Sequence, residues 1–415
     1  MGQSTFITSP TSPVKQKPHS LRLGFDVPML IVVVCLLVFG LLMVYSASWK
    51  FSVAIMEQSP SYILVRQLVW AALGIILAVT ASLVNYQVFQ KVALPLLVVT
   101  LLMLLGVLFF NRSSESGRTL VNNSVQPSEL AKLAIIIYMA VWLNSKQDVL
   151  NNITFGLLPM ILILAITGAF IMLQTDLSAT ITVVLLGGLL FFLAKGDLRQ
   201  IAFVVILACG LILAVVTFTT RGQDRIQKFK TGLLDPQKAD YQIKASFSAI
   251  VDGGLTGVGI GKGVIKNINL PVAWTDSIFA VIIEETGLIG GFFVIAMFMI
   301  FLWRGLRIAA RAPDNLGRLL AGGITIWIVT EAILNIGVMI SLLPVAGNAL
   351  PLISAGGSSM VMTLVGIGIL MNIARSGQDQ ASSQERRSFS ASVNLRWRDR
   401  RRRLSRTRRS ASTGQ

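Results

Sequence analysis

Ten apolar segments, each close to the length of a membrane-spanning helix, constrain the fold of this chain more than any other feature. An α-helix needs about 20 apolar residues to cross the hydrocarbon core of a bilayer. The segments cover approximately 27–48, 61–83, 91–110, 127–144, 156–173, 177–194, 199–219, 277–303, 318–341 and 357–374. We therefore predict an all-α polytopic membrane protein with about ten transmembrane helices and a long external loop between helices 7 and 8.

The composition excludes an ordinary soluble domain, since 54% of the residues are hydrophobic, only 13% are charged, and the mean hydropathy is +0.72. Only a short turn at 174–176 separates the fifth and sixth segments, which predicts an antiparallel helical hairpin. The sequence contains no convincing internal repeat, and this disfavours the inverted-repeat secondary transporters.

The basic residues predict the orientation, because Lys and Arg accumulate in the short cytosolic loops of membrane proteins. They lie in the amino-terminal tail, after the sixth and eighth segments, and in the carboxyl-terminal stretch Arg386–Arg409. Both termini are therefore expected in the cytosol, and the loop at about 220–276 is expected outside the cytoplasmic membrane. That loop is basic, but long loops cross largely regardless of their charge.

The distribution of apolar and basic residues predicts three regions: a disordered cytosolic tail at 1–26, a transmembrane domain at 27–375 and a disordered arginine-rich cytosolic tail at 376–415. Dense arginine neutralises nucleic-acid phosphates. Beside a cytosolic membrane face, however, anionic lipid or an acidic partner suits it better. We therefore predict no nucleic-acid partner.

Histidine and cysteine usage limits the chemistry. His19 is the only histidine and lies in the polar tail, while Cys35 and Cys209 lie inside apolar segments. A His-ligated metal site or a Ser-His-Asp triad therefore cannot form. Any catalysis must depend on carboxylates, Lys, Arg or hydroxyl groups.

Three charged residues at external helix ends have both a structural and a functional interpretation. Glu129 suits the first turn of the fourth helix, and Lys132 lies on the same helix face. A buried lysine needs a partner, which favours a polar cavity there. Asp176 either caps the sixth helix or completes a Glu129–Lys132–Asp176 cluster.

The external loop combines cations with glycines. Its cations include Arg221, Arg225 and Lys262, which otherwise suit a solvated loop near lipid headgroups. The stretch Gly253–Gly263 lacks the ending of a P-loop. Flexible backbone and lysines beside a membrane would nevertheless suit a diphosphate attached to a lipid.

Carboxylates also mark the eighth segment. Asp276 stands at its external end and would serve as an N-cap. Glu284 and Glu285 lie deeper, and intramembrane carboxylates usually pair, face a polar cavity or function. We expect these three to form a polar track whose far wall is Glu331 and Asn335. The stretch Gly347–Val361, rich in small residues, is expected to serve helix packing.

Several motifs occur together in an order that resembles the SEDS proteins (shape, elongation, division, sporulation), the family of FtsW and RodA. The motifs are QPSELAK, QTDLSAT, DYQIKAS, GVGIGKG, LPVAWTDSIFAVIIEETG and LPLISAGGSS. They cover the chain from Gly117 to Arg375. The sequence departs from the usual family residue at Thr175, Trp274, Ser277, Glu331 and Ala355.

The resemblance implies a ten-helix fold that polymerises lipid II, a disaccharide-pentapeptide on a polyprenyl diphosphate, by inverting glycosyl transfer. It implies that Asp276 is the catalytic carboxylate. Arg118, Glu129, Lys132 and Asp176 would line a central cavity, with Glu284 and Glu285 behind Asp276.

The resemblance further implies a class B penicillin-binding protein, a transpeptidase, as partner, together with other division or elongation proteins. The residues of these motifs and the basic tail favour a role in cell division over one in elongation. The sequence fixes no cofactor, and a divalent cation, Mg or Mn, would suit a diphosphate. The alternative functions are a lipid II flippase, which needs a polar path across the membrane, and a non-catalytic scaffold.

Overall fold

A computed structural model of the chain describes residues 25–54, 56–110, 125–147, 156–174, 176–194, 206, 210, 217, 219–234, 241–265, 273–344 and 347–380. Over these residues every regular element is a helix and no strand occurs. The prediction of an all-α protein is therefore confirmed. Both predicted tails lie almost entirely outside the described residues.

The helices of at least one full turn are numbered in chain order. They are α1 Val27–Ala54, α2 Tyr62–Leu83, α3 Phe89–Phe110, α4 Pro127–Ser145, α5 Leu158–Leu173, α6 Leu177–Leu193, α7 Thr220–Leu234, α8 Tyr241–Gly253, α9 Ile278–Ala310, α10 Asn315–Met339 and α11 Gly357–Gln380. A short 3₁₀ turn, Tyr86–Val88, connects α2 and α3.

Seven of the described helices are long and apolar enough to cross a membrane, namely α1 to α4 and α9 to α11. The shorter apolar helices α5 and α6 form the predicted hairpin. The seventh predicted segment, 199–219, lies almost entirely outside the described residues, so the number ten stays a prediction. Helix α11 ends at Gln380, five residues beyond the predicted end of the transmembrane domain.

Polar contacts show which helix ends lie on the same side of the bundle. At one side, Arg304 near the end of α9 forms an ion pair with Asp26, which also caps the start of α1. Asn372, near the end of α11, bonds to the end of α2 through the Ser82 carbonyl, at 2.7 Å. The basic residues predicted to be cytosolic after the eighth segment begin with Arg304 and lie at this side.

The opposite side gathers the start of α9 with the ends of α1 and α10 and the starts of α4, α6 and α11. The rings of Phe51 in α1 and Trp274 before α9 lie 4.3 Å apart. Gln126, which precedes α4, accepts no cap bond but donates its backbone N–H to Ser358 of α11, at 3.1 Å. Glu129, Asp176 and Asp276, which lie at or near the starts of α4, α6 and α9, thus share one side of the bundle.

Helices α4, α10 and α11 are the most buried, whereas α2 and α3 expose most of their apolar surface. Exposed apolar helix surface is what a bilayer solvates. Glycine permits close contact with the core at Gly40 of α1, where a Cβ would lie 2.5 Å from the Leu352 carbonyl oxygen. The stretch before α11 therefore reaches the middle of α1.

The region predicted as a long external loop contains two helices, α7 and α8. Helix α7 is amphipathic, with cations at Arg225, Lys228 and Lys230, and it suits a membrane surface. Helix α8 packs against α9. The described part of this region is therefore largely helical, and α8 covers the first half of α9.

Candidate active site

Asp276 is half-buried in the turn that leads into α9. The N-cap position belongs to the next residue, Ser277, whose side chain makes no capping bond, so the expectation that Asp276 is the N-cap is wrong. A Cβ added to Gly347 would lie 3.0 Å from Oδ2 of Asp276. The carboxylate therefore lies against Gly347.

The backbone around Asp276 is fixed at three successive carbonyl oxygens. The Trp274 carbonyl accepts from the Ala355 N–H at 2.8 Å, and the Thr275 carbonyl accepts from Ser354 Oγ at 2.7 Å. The Asp276 carbonyl accepts from Nδ2 of Asn335 in α10, also at 2.8 Å. Each bond comes from outside the turn, so the position of the carboxylate is set by α10 and by the stretch before α11.

That stretch, 347–356, does more than the predicted helix packing. The Ser354 hydroxyl accepts from the Leu350 N–H at 2.7 Å and donates to the Thr275 carbonyl. The Ser354 carbonyl accepts from the side-chain amide of Gln67 in α2 at 3.2 Å. Leu352 has a φ of +65°, which is unusual for a residue with a branched side chain. Sequence reasoning missed this role, although a Pro/Gly/Ser-rich turn is a common place for a positioning contact.

Lys132 is buried in a cluster with two carboxylates. Its Nζ lies 2.9 Å from Oε1 of Glu129 and makes a short contact with Oε1 of Glu331. Because α10 rises 1.5 Å per residue, Glu331 lies about 6 Å along the helix from Asn335, which touches Asp276. The cluster is therefore about one helical turn deeper than Asp276.

Asp176 caps α6 by accepting from the Ala179 N–H at 3.2 Å, so the capping interpretation is confirmed. It also accepts from Gln126 Nε2 at 2.7 Å and from Ser128 Oγ at 3.1 Å, which attaches α6 to the start of α4. It makes no ion pair with Lys132. The carboxylates paired with Lys132 are Glu129 and Glu331, and a wider cluster that includes Asp176 stays a prediction.

Glu284 and Glu285 bind the glycine-rich stretch Gly254–Ile265, which we name the glycine-rich segment. Glu284 Oε1 accepts from the N–H groups of Val264 and Ile265, the second at 2.9 Å. Glu285 Oε2 accepts from the Gly261 N–H at 3.1 Å, and both of its oxygens accept from Ser46 of α1. These side chains fix a backbone, and their expected place in a cavity behind Asp276 stays a prediction.

The glycine-rich segment also exchanges backbone hydrogen bonds with α9 where that helix is interrupted at Gly287, φ +72°. An intact helix would join the carbonyls of Glu284 and Glu285 to the N–H groups of Leu288 and Ile289. Instead these four groups bond to the segment at 3.0–3.3 Å, through Val258 N–H, Gly259 N–H, Gly254 C=O and Leu255 C=O. Five of its N–H groups thus donate to α9 and are not available to a phosphate.

The predicted cations are only partly placed. Lys262 is exposed in the glycine-rich segment beside Gly261, which contacts Glu285 and so lies about 13 Å along α9 from Asp276. Arg225 is half-buried in α7, and Arg221 belongs to the same helix. Arg118 lies outside the described residues. The part of the chain that the structure describes holds no group of three His, Cys, Asp or Glu side chains able to bind a metal ion.

The fold and the site define a polytopic helical membrane protein that holds a carboxylate at one face. The chain belongs to the family of cell cycle proteins that comprises FtsW, RodA and SpoVE, whose family model matches residues 27–379. One relative, the probable peptidoglycan glycosyltransferase FtsW of Trichlorobacter lovleyi, is 36% identical over 366 residues, which cover 87% of this chain and 96% of the relative.

Solved structures share the fold. A chain of a peptidoglycan synthase complex, studied for the coordination of polymerization and crosslinking, matches with a TM-score of 0.69 at 23% identity, covering 86% of this chain and 99% of that chain. The rod shape determining protein RodA of Thermus thermophilus matches with a TM-score of 0.60 at 23% identity, covering 85% and 98%.

Proposed function

We propose that this protein is a peptidoglycan glycosyltransferase that polymerises lipid II into glycan strands at the outer face of the cytoplasmic membrane. The observation that carries the proposal is Asp276, a carboxylate whose backbone is held by hydrogen bonds from α10 and from 347–356. The name of the 36%-identical relative supports the same reaction. Both termini would lie in the cytosol, in agreement with the basic residues beside Asp26 and Arg304.

The reaction joins two lipid-linked disaccharides. A hydroxyl of the acceptor sugar attacks the anomeric carbon of the donor, a C–O bond forms, and the bond to the polyprenyl diphosphate breaks with inversion. Asp276 takes the proton of the attacking hydroxyl as general base. A carboxylate fixed in position needs little reorganisation when the reaction begins.

The departing diphosphate needs positive charge. Lys132 is poorly suited, because two carboxylates already surround its single charge. Helix α7, with Arg225, Lys228 and Lys230 on an amphipathic surface, is our candidate for the diphosphate-binding element. A divalent cation would have to take part of its ligands from the diphosphate, and loss of activity in EDTA, restored by Mg²⁺ or Mn²⁺, tests it.

The alternative, a lipid II flippase, needs a polar path through the bilayer. On the cytosolic side of Lys132, α4 continues with Leu133, Ile135, Ile136 and Met139, all buried, and α10 contributes Leu320 and Ile324. Within the described residues the core there is apolar. This arrangement favours a one-sided enzyme over a carrier.

We also propose a class B penicillin-binding protein as partner and a role in cell division. The structural relative belongs to a complex that combines polymerization with crosslinking. A relative named FtsW supports division. The partner would crosslink the strands as they leave the external face.

The test is polymerisation of purified lipid II by the wild type and by Asp276→Asn, with and without the partner. We expect the variant to lose roughly 10²–10⁴-fold in rate, the usual contribution of a general base. Asp252→Asn, an exposed aspartate at the end of α8, is the matched control. Polymer from Asp276→Asn at the wild-type rate removes the assignment, and lipid II movement without polymer would favour the flippase.

A further inference from the structure

Two buried side-chain amides beside Asp276 have polar atoms without a hydrogen-bond partner. Asn335 is 1% exposed and Asn348 is 8% exposed. Oδ1 of Asn335 and Nδ2 of Asn348 are unpaired among the described residues. Most buried polar atoms in proteins are paired, so two unpaired ones next to a catalytic carboxylate call for an explanation.

The orientation of the Asn335 amide is fixed by its neighbours. Its Nδ2 donates to the Asp276 carbonyl at 2.8 Å and to the Asn348 carbonyl at 2.6 Å. Both partners are acceptors only, so the amide cannot be reversed without losing both bonds. Oδ1 is therefore an acceptor, and it belongs to the group that positions Asp276.

Asn348 contributes the complementary atom. Its own backbone carbonyl is used by Asn335, whereas its side-chain nitrogen is a donor without an acceptor. The preceding residue, Gly347, lies against the Asp276 carboxylate. The unpaired acceptor therefore belongs to a side chain that is bonded to the Asp276 backbone. The unpaired donor belongs to the residue that follows Gly347, which contacts the Asp276 carboxylate.

We propose that Asn335 and Asn348 form a sugar subsite that binds the hydroxyl next to the attacking hydroxyl on the acceptor sugar ring. A hydroxyl carries one donor and two acceptor positions, so it can donate to Asn335 Oδ1 and accept from Asn348 Nδ2. Neighbouring hydroxyls on a ring are a fixed distance apart. Binding one of them therefore places the other against Asp276. The inference rests on the proposed function.

The experiment compares two substrates and two proteins. The substrates are lipid II and an analogue with hydrogen in place of that neighbouring hydroxyl. The proteins are the wild type and Asn348→Ala, which keeps the backbone carbonyl bonded to Asn335. We expect the wild type to use the analogue with kcat/KM lower by roughly ten- to a hundredfold, the effect of losing a hydrogen bond to a buried group. Asn348→Ala is expected to discriminate several-fold less.

A purely structural role for Asn348 would lower activity with both substrates by the same factor, and that result overturns the proposal. The proposal is also overturned if the wild type uses both substrates equally, regardless of the result for the variant. Asn348→Asp, of nearly the same shape but without the donor, repeats the comparison if the alanine variant is unstable. Asn144→Ala, at the cytosolic end of α4, is expected to discriminate like the wild type. Absence of polymer from the wild type with lipid II itself would instead refute the proposed function.

Discussion

The docking of the glycine-rich segment on α9 predicts a strong effect of a single methyl group at Gly257. This residue has a φ of +79°, and a Cβ there would lie 2.2 Å from the Glu285 carbonyl oxygen and 2.6 Å from the Gly287 nitrogen. All these contacts are backbone atoms, which cannot move aside as a flexible side chain can. Gly257→Ala must therefore push the segment away from α9.

The size of the effect follows from what the displacement breaks. Four backbone hydrogen bonds join the segment to α9, and at a net value of about 1 kcal/mol each they stabilise the docked state by about 4 kcal/mol. The left-handed backbone at residue 257 adds about 1–2 kcal/mol of strain for alanine. The expected loss is therefore about 5 kcal/mol, a large part of the 5–15 kcal/mol typical of a folded domain.

Gly261→Ala is a matched control, because Gly261 also has a positive φ, +83°, but a Cβ there meets nothing within 4 Å. It should cost only the strain, about 1–2 kcal/mol. Both variants are measured in lipid nanodiscs by thermal unfolding and by hydrogen exchange of α8 and α9. Equal losses in the two variants would refute the reasoning, since only at Gly257 would the added methyl group meet the backbone of α9.

Two further predictions concern buried polar groups. Ser46→Ala removes the hydroxyl that donates to Glu285 and should destabilise the protein by about 1.5–3 kcal/mol in thermal unfolding. Ser48→Ala is the control and should be nearly neutral, because the Ser48 hydroxyl has no hydrogen-bond partner among the described residues. Equal effects would contradict the role given to Glu285. Lys132→Met leaves two buried carboxylates without their cation and should lower the free energy of unfolding by about 3–5 kcal/mol. Glu331→Gln keeps the Lys132–Glu129 pair and should lower it by less. A larger loss for Glu331→Gln than for Lys132→Met in denaturation would be inconsistent with the cluster.

Local patterns in the sequence predicted much of the fold. Apolar length located nine of the ten segments, with starts within three residues and ends within seven, because a bilayer demands long apolar helices. Asp176 was recognised as a helix cap because capping depends on residues adjacent in sequence. Helices α7 and α8 were not predicted, since both are too polar to stand out by hydropathy.

Contacts between distant parts of the chain were harder to predict. Glu331 lies 199 residues from Lys132, and no local pattern indicates which of several buried carboxylates an ammonium group will meet. The stretch 347–356 was assigned to packing because its Ser and Gly residues suit that role equally well. Only the three-dimensional structure shows that Ser354 and Ala355 hold the turn before Asp276.

Glu284 and Glu285 show how a membrane protein can use buried carboxylates to hold irregular backbone. Within a bilayer, irregular backbone is tolerated only when its N–H and C=O groups find partners inside the protein. Where α9 is interrupted at Gly287, the glycine-rich segment supplies four such partners, and the two carboxylates accept N–H groups that remain. Asp276 differs because its carbonyl is held while its carboxylate lies against Gly347, a residue with no side chain. Buried acidity alone therefore does not distinguish these carboxylates; the atoms around each of them do, and on that ground we propose Asp276 as the catalytic residue.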